Sequence, residues 1–337
     1  MSDSRPVIKK VVPPAAIPGG DFEIRGTGLS PAGERQAVVR FGETPGRLVV
    51  GGSSRIVVRV PEEAADNELS VECAGVKSEA FPCALGLSIA EGLHPVANPA
   101  VDRAGNIFTT RSGTRGERVP VSVFKIDTNF NVRPFVSEII NPTGMLVDPE
   151  GALLISSRNN GTIYAVTPGG QVEVYAEGMG VATGLAMDED RNLFVGDRTG
   201  TIFKIARDRQ IFVFATVEPS ISAYHLAFGP DGNLYVTGPT TSSFDSVYKV
   251  DPKGDVEVYH RGLGRPQGLA FDEQGRLYVA ASKGGRKGVF RIYEDGRAEQ
   301  VVSGPGVVGL AFLPSGEMIL ATGSNLYRAP TEGWIDD

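Results

Sequence analysis

The sequence predicts an all-β fold: a small β-sandwich followed by a closed six-bladed β-propeller of four-stranded blades. Three observations predict it. One hairpin frame recurs six times: NPAVDRAGNIF from Asn98, GMLVDPEGALL from Gly144, GLAMDEDRNLF from Gly184, HLAFGPDGNLY from His225, GLAFDEQGRLY from Gly268 and GLAFLPSGEMI from Gly309. The starts lie 40 to 46 residues apart, a period that marks propeller blades when the unit holds only short strands. Each frame also alternates apolar and small residues on both sides of a turn rich in Asp and Gly, as in RPQGLAFDEQGRLYVAAS over 265–282. Such alternation is a hairpin signal and lacks the three- and four-residue apolar spacing of a helix. Finally, a second strand pair follows, as in SVYKVDPKGDVEVYH (246–260) and GVFRIYEDGRAEQVV (288–302). That makes four strands per repeat.

The sixth repeat stops one strand short, near Pro330. LSIAEGL (87–93), upstream of the first repeat, matches the fourth-strand segment VEVYAEGM (172–179). Residues 87–93 are therefore expected to complete the last blade and close the ring, which removes the open sheet edge. The domain division follows: 1–85 sandwich, 86–330 propeller, 331–337 a polar tail with Trp334 set against a blade. The short junction at Leu85-Gly86 predicts a sandwich held close to the sixth blade.

Within the first segment, QAVVRFGE, GRLVVGG, SRIVVRV and NELSVECAG are short alternating strands at roughly ten-residue spacing, the pattern of a small sandwich. Cys73 and Cys83 are the two cysteines. If Leu69–Cys73 turns back at Ala74-Gly75, Cys83 runs well past Cys73, so two packed thiols are expected rather than a disulfide.

Composition bounds the function. The chain has 337 residues, with 43 Gly and 23 Pro to serve many tight turns, and a net charge of -7, which argues against a general nucleic-acid binder. No apolar run approaches the ~18 residues of a membrane span. MSDSRPVIKK lacks an apolar signal core, so the sequence as written is expected to be cytoplasmic; removal of a leader would leave the same sequence.

Two resemblances add to this. Pro14, Gly19-Gly20, Ile24, Gly26, Gly28, Val39 to Gly42 and Ile56 to Pro61 make the first segment similar to the IPT/TIG group of immunoglobulin-like domains. The repeated P-x-G-L-A-x-D-x-x-G-x-L-Y-V-A frame resembles the SMP-30/gluconolactonase/LRE-like propellers, with NHL propellers as cousins. That second resemblance implies a divalent metal held by a Glu, two Asn and an Asp on successive blades. Carried over, those positions fall on Ala97, Thr143, Thr183 and Tyr224, none of which is the implied ligand. No metal site and no cofactor is expected, and the metal-dependent lactonase activity of the group is not expected either.

Other chemistry is thin. His225 stands where other frames carry Gly and is the one candidate general base or carboxylate ligand. The alternative is a hydrogen-bonded channel histidine with no reaction. His94 and His260 read as structural or exposed. No G-x-S-x-G, P-loop or Rossmann glycine pattern is present.

The loops between second and third strands are basic: Arg111, Arg115, Arg118, Arg158, Arg198, Lys283, Arg286 and Lys287 stand against Glu117, Asp197 and Asp245. The opposite turns carry Asp102, Asp127, Asp148, Asp188, Asp251 and Asp272. The expected function is a binding propeller that recognises an anionic small molecule or protein partner on the basic face. Its channel mouth would be lined by Asn98, Thr143, Thr183, Tyr224, His225 and Gln267, and its charge would come from Arg111, Arg158, Arg198 and Arg286. The alternative is a lactone hydrolase or lyase acting through His225. RNA is disfavoured, because Tyr224 and Phe244 are the main aromatics beside the arginines and stacking has little support. DNA binding is not expected.

Overall fold

The computed structural model describes residues 5–30, 37–113, 117–242 and 244–331; Arg115 and Trp334 lie outside them. Among the described residues there are strands and turns but no helix, and so no helix long and apolar enough to cross a membrane.

From Ala100 onward the chain forms six antiparallel sheets in sequence order, numbered here one to six. Their first strands are Ala100–Val101, Pro142–Val147, Ala182–Met187, His225–Phe228, Leu269–Phe271 and Val307–Phe312. Each first strand ends its own sheet, so one of its edges has no partner strand there. The first strands pack side by side in chain order, and the sixth packs against the first. Leu87–Ala90 pairs antiparallel with Leu326–Ala329 as the outer strand of the sixth sheet.

The recurring residues of the frame have distinct physical jobs. Its two aromatic positions join neighbouring sheets edge to face: Phe194 meets Phe228, Tyr235 meets Phe271 and Tyr278 meets Phe312, with centroids 5.0, 5.0 and 5.3 Å apart. That geometry suits the ring quadrupoles. The Asp closes the hairpin turn on itself. Asp102 Oδ1 accepts the Ala104 and Asn106 amides at 2.9 and 2.8 Å, and Asp251 Oδ1 accepts those of Lys253 and Asp255 at 2.8 and 2.9 Å. These are Asx turns. The acidic residues expected on this face are therefore tied to their own backbone, and Asp272 is further paired with Arg276.

Residues before Ala84 form two further sheets around a separate core that includes Phe22, Ile24, Val39, Phe41, Ile56, Val58, Leu69 and Val71. Cys73 and Cys83 are free and buried there, and burial pushes the Cys83 thiol up to about 12.

This part does meet the sixth sheet, since Ala15 and Ile17 share a core with Leu310, Leu320 and Ala329, but its strand pairing is with the fifth, which was not expected. Ala15–Ala16 adds in parallel to the outer strand of the fifth sheet, opposite Val302 and Ser303, and Ala84–Leu85 adds outside it. The fifth sheet thus has six strands. Fully buried Ala15 and Ala16 allow this close approach, and Ile17 is buried in the core shared by the fifth and sixth sheets. The otherwise open edge at Ala298–Ser303 is the physical reason, because unpaired strand edges gain hydrogen bonds from any strand that covers them.

Candidate functional site

The segments leading into the first strands form one end of the channel, and they are tightly closed. The first strand bulges between Pro142 and Met145, between Ala182 and Leu185, and between Val307 and Gly309. At these bulges neighbouring backbones touch. A Cβ on Gly144 would lie 2.1 Å from the Thr183 carbonyl oxygen, and one on Gly184 2.5 Å from that of Tyr224. Gly268 and Gly309 are equally crowded by Asn98 and Ala97. Only glycine fits such contacts.

The residues expected at a channel mouth are consequently buried and occupied. Thr143 donates to the Asn141 carbonyl at 3.3 Å; Thr183 donates to that of Gly196 at 2.8 Å and accepts the Tyr224 amide at 3.1 Å. The Tyr224 hydroxyl donates to the Glu218 carbonyl, and burial raises its pKa. Asn98 Nδ2 donates to the Leu269 carbonyl at 2.8 Å and its Oδ1 accepts the Leu310 amide at 3.1 Å, tying the first sheet to the fifth and sixth. Gln267 is half-buried, its amide donating to Ala280 at 2.8 Å. His225 is the member of this set with a fully buried polar atom that has no partner. It is 2% exposed, Nε2 has no hydrogen-bond partner, and desolvation drives its pKa down to about 4. It is neutral at pH 7. His94 is exposed and His260 is buried.

The four positions that a metal would need do not fit one. Ala97 has no donor, the Thr143 and Thr183 hydroxyls already donate to carbonyls, and Tyr224 does likewise. Among the described residues no group of three or more His, Cys, Asp or Glu converges.

The channel itself is a cavity of about 380 Å³ between the six first strands. Exposure rises toward its far end, where Phe228, Phe271 and Phe312 are half-buried, while Leu226, Leu269 and Leu310 near the closed end are buried.

On the closed face, Arg158 and Arg198 occupy matching positions after the second strands of the second and third sheets. Their amides donate to the Asn141 and Val181 carbonyls at 3.3 and 3.1 Å, and both side chains reach solvent. Partial loss of solvent, and then the charge of Arg198, push the Arg158 pKa below the ordinary arginine value. The two guanidiniums are thus electrostatic neighbours, and neither has an ion-pair partner among the described residues. Asp197 and Asp245, expected to offset them, are turned inward. Asp197 accepts the Val181 amide at 2.8 Å, and Asp245 accepts the Thr240 hydroxyl at 2.6 Å. Arg111 is half-buried on the preceding sheet. Arg286 does not join this group: it lies beside the N-terminal strands, in a groove shared with Arg55 and Arg59. The alternating charges of 21–25 and 55–59 were the available sequence signal for those partners.

No protein-family profile and no curated protein matches the chain. Solved structures do. A gluconolactonase from Xanthomonas campestris is 17% identical over 74% of this chain and 90% of its own, with a TM-score of 0.61. An auxiliary nutrient binding protein from Bacteroides thetaiotaomicron is 11% identical over 97% and 98%, with a TM-score of 0.58. Virginiamycin B lyase from Staphylococcus aureus is 13% identical over 84% and 94%, with a TM-score of 0.52. At such identities the likeness speaks to architecture and not to chemistry. This chain has the β-propeller fold of the gluconolactonase and virginiamycin B lyase structures.

Proposed function

We propose that this chain is a binding protein: a closed six-bladed propeller with an immunoglobulin-like N-terminal domain of the IPT/TIG type, taking an anionic ligand against Arg158 and Arg198. The observation that carries this reading is the matching placement of Arg158 and Arg198 directly after the adjacent second strands, both exposed and without an ion-pair partner among the described residues. Guanidinium forks match carboxylate and phosphate oxygens in geometry and charge, and each such charge-assisted bond is stronger than a neutral one. Arg111 extends the same face. The side-by-side first strands and the pairing of Leu87–Ala90 with Leu326–Ala329 support a closed ring. The two N-terminal sheets around one core support the immunoglobulin-like domain. Full-length likeness to an auxiliary nutrient binding protein supports a binding role.

The test is calorimetric titration with 6-phosphogluconate, a phosphorylated sugar acid. Saturable binding is expected, weakened by salt and at least about tenfold weaker in Arg158→Gln/Arg198→Gln, because losing two charge-assisted hydrogen bonds removes on the order of 3 kcal/mol. Equal affinity in that variant, or metal-stimulated hydrolysis of glucono-δ-lactone by the purified chain, would sink the reading.

One observation favours a second reading, a lactone hydrolase or lyase. The neutral His225 lines the channel with Nε2 unpartnered, and a neutral imidazole is the form a general base needs. Lactone turnover lost in His225→Ala, with the fold retained, would replace the first reading with this one.

A further inference from the structure

The N-terminal strands and the fifth sheet join along one line and then separate. At the line, the Ile17 amide donates to the Ser303 carbonyl and the Asp21 amide to Ser303 Oγ, both at 2.9 Å. Beside it lies a groove of about 660 Å³, a volume that suits a small ligand. One wall belongs to strands 21–27 and 55–59. There Arg59 grips Asp21 through two bonds of 2.8 and 3.1 Å, and Arg55 holds Glu23 at 2.8 Å. The other wall is the turn carrying Gly285, Arg286 and Lys287, backed by Gln300, whose Nε2 donates to the Lys287 carbonyl at 2.9 Å.

Charge across this groove is unbalanced. The carboxylates that line it, Asp21 and Glu23, are both already paired with arginines of their own wall. Arg286 and Lys287 have no ion-pair partner among the described residues and are exposed. A guanidinium carries five N–H donors, so Arg55 and Arg59 keep donors free after binding their carboxylates. Those carboxylates also fix the two guanidiniums in place, which lowers the ordering cost for a ligand.

We propose that this groove is a second ligand site, taking a small molecule with clustered oxyanions, either phosphates or carboxylates. Its charge is met by Arg286 and Lys287 from the fifth sheet and by Arg55 and Arg59 from the N-terminal strands. The ligand therefore bridges two parts of the chain whose direct contact is narrow. This site is separate from Arg158 and Arg198, which belong to the second and third sheets.

The test titrates the full chain with pyrophosphate and, separately, with citrate at matched ionic strength. Saturable one-site binding of either is expected, and the one preferred tells phosphate from carboxylate recognition. Arg286→Gln/Lys287→Gln changes exposed positions outside the core and is expected to weaken binding at least about tenfold, whereas Arg158→Gln/Arg198→Gln leaves it unchanged. Bound ligand is also expected to slow amide hydrogen exchange on both walls, at 21–27 and at 286–292. No binding of either anion, an unchanged affinity in the 286/287 variant, loss of binding in the 158/198 variant, or slowing on one wall alone overturns the proposal.

Discussion

Gly309→Ala is expected to destabilise the chain by about 3 kcal/mol, at the upper end of what overpacking costs. The added methyl would lie 2.4 Å from the Ala97 carbonyl oxygen and 2.7 Å from Asn98 Cα, and these are backbone atoms that no rotamer change can move. Gly309 lies in the first strand of the sixth sheet and Ala97 and Asn98 in the segment leading into that of the first, so the clash falls where the two ends of the sheet series meet. At this chain length the melting temperature should fall by about 4 °C, followed by circular dichroism. Gly316→Ala is the matched comparison. Gly316 has a φ of +87° and open space around its Cβ position, so only backbone strain of about 1 kcal/mol opposes alanine there. Equal melting temperatures for the two variants would show that the first and sixth sheets do not touch as described.

His225 is expected to make the fold acid-sensitive well above the range where carboxylates titrate. Its native pKa lies at about 4, down from 6.5, because burial disfavours the imidazolium. A base whose folded pKa is depressed binds protons more readily when unfolded. Its contribution is therefore fully present above pH 6.5 and is lost as pH falls from there toward 4. At pH 5 the loss should reach about 2 kcal/mol. Urea unfolding midpoints at pH 7.5 and pH 5 measure it. His225→Gln, which cannot take up a proton, should show a distinctly smaller shift between the two pH values, the remainder coming from His260, whose pKa burial also lowers. An equally large pH effect in that variant would assign the sensitivity to other groups.

Much of the architecture was legible because its signals are local. Alternation, the Asp turn and the aromatic pair all sit within one eleven-residue frame, so each sheet could be read from its own segment. The lead-in glycines were visible as a pattern, but their cause was not. Gly144 is small because Thr183, some forty residues later, lies against it, and only the packing of the second sheet on the third brings those backbones together. Thr143, Thr183 and Tyr224 were likewise expected to line an open mouth; instead the Thr143 and Tyr224 hydroxyls are committed to carbonyls close in sequence, and Thr183 to its own sheet and to the Tyr224 amide of the next. The basic loops show the same split. Arg158 and Arg198 fall together because they hold equivalent places in consecutive repeats. Arg286 belongs to the corresponding loop of the fifth repeat but opens its third strand, where the position matching Arg158 is Ser282, and the Ala15–Ala16 strand brings the N-terminal residues beside it; no repeat arithmetic contains that contact.

The pairing of Leu87–Ala90 with Leu326–Ala329 and of Ala15–Ala16 with Val302 and Ser303 also sets an order of assembly. On the ribosome, each early segment emerges some 240 to 290 residues before its partner. The intervening hairpins are local and can form as they appear, but the early strands Ala15–Ala16 and Leu87–Ala90 stay without their partners until Val302–Ser303 and Leu326–Ala329 have been made. Loop closure across such separations is slow, so the nascent chain carries two unfinished strand edges through most of its production. Chaperone dependence and aggregation during overexpression should therefore depend on these late partner strands: chains truncated before Leu326 should be far more aggregation-prone than chains that include Leu326–Ala329.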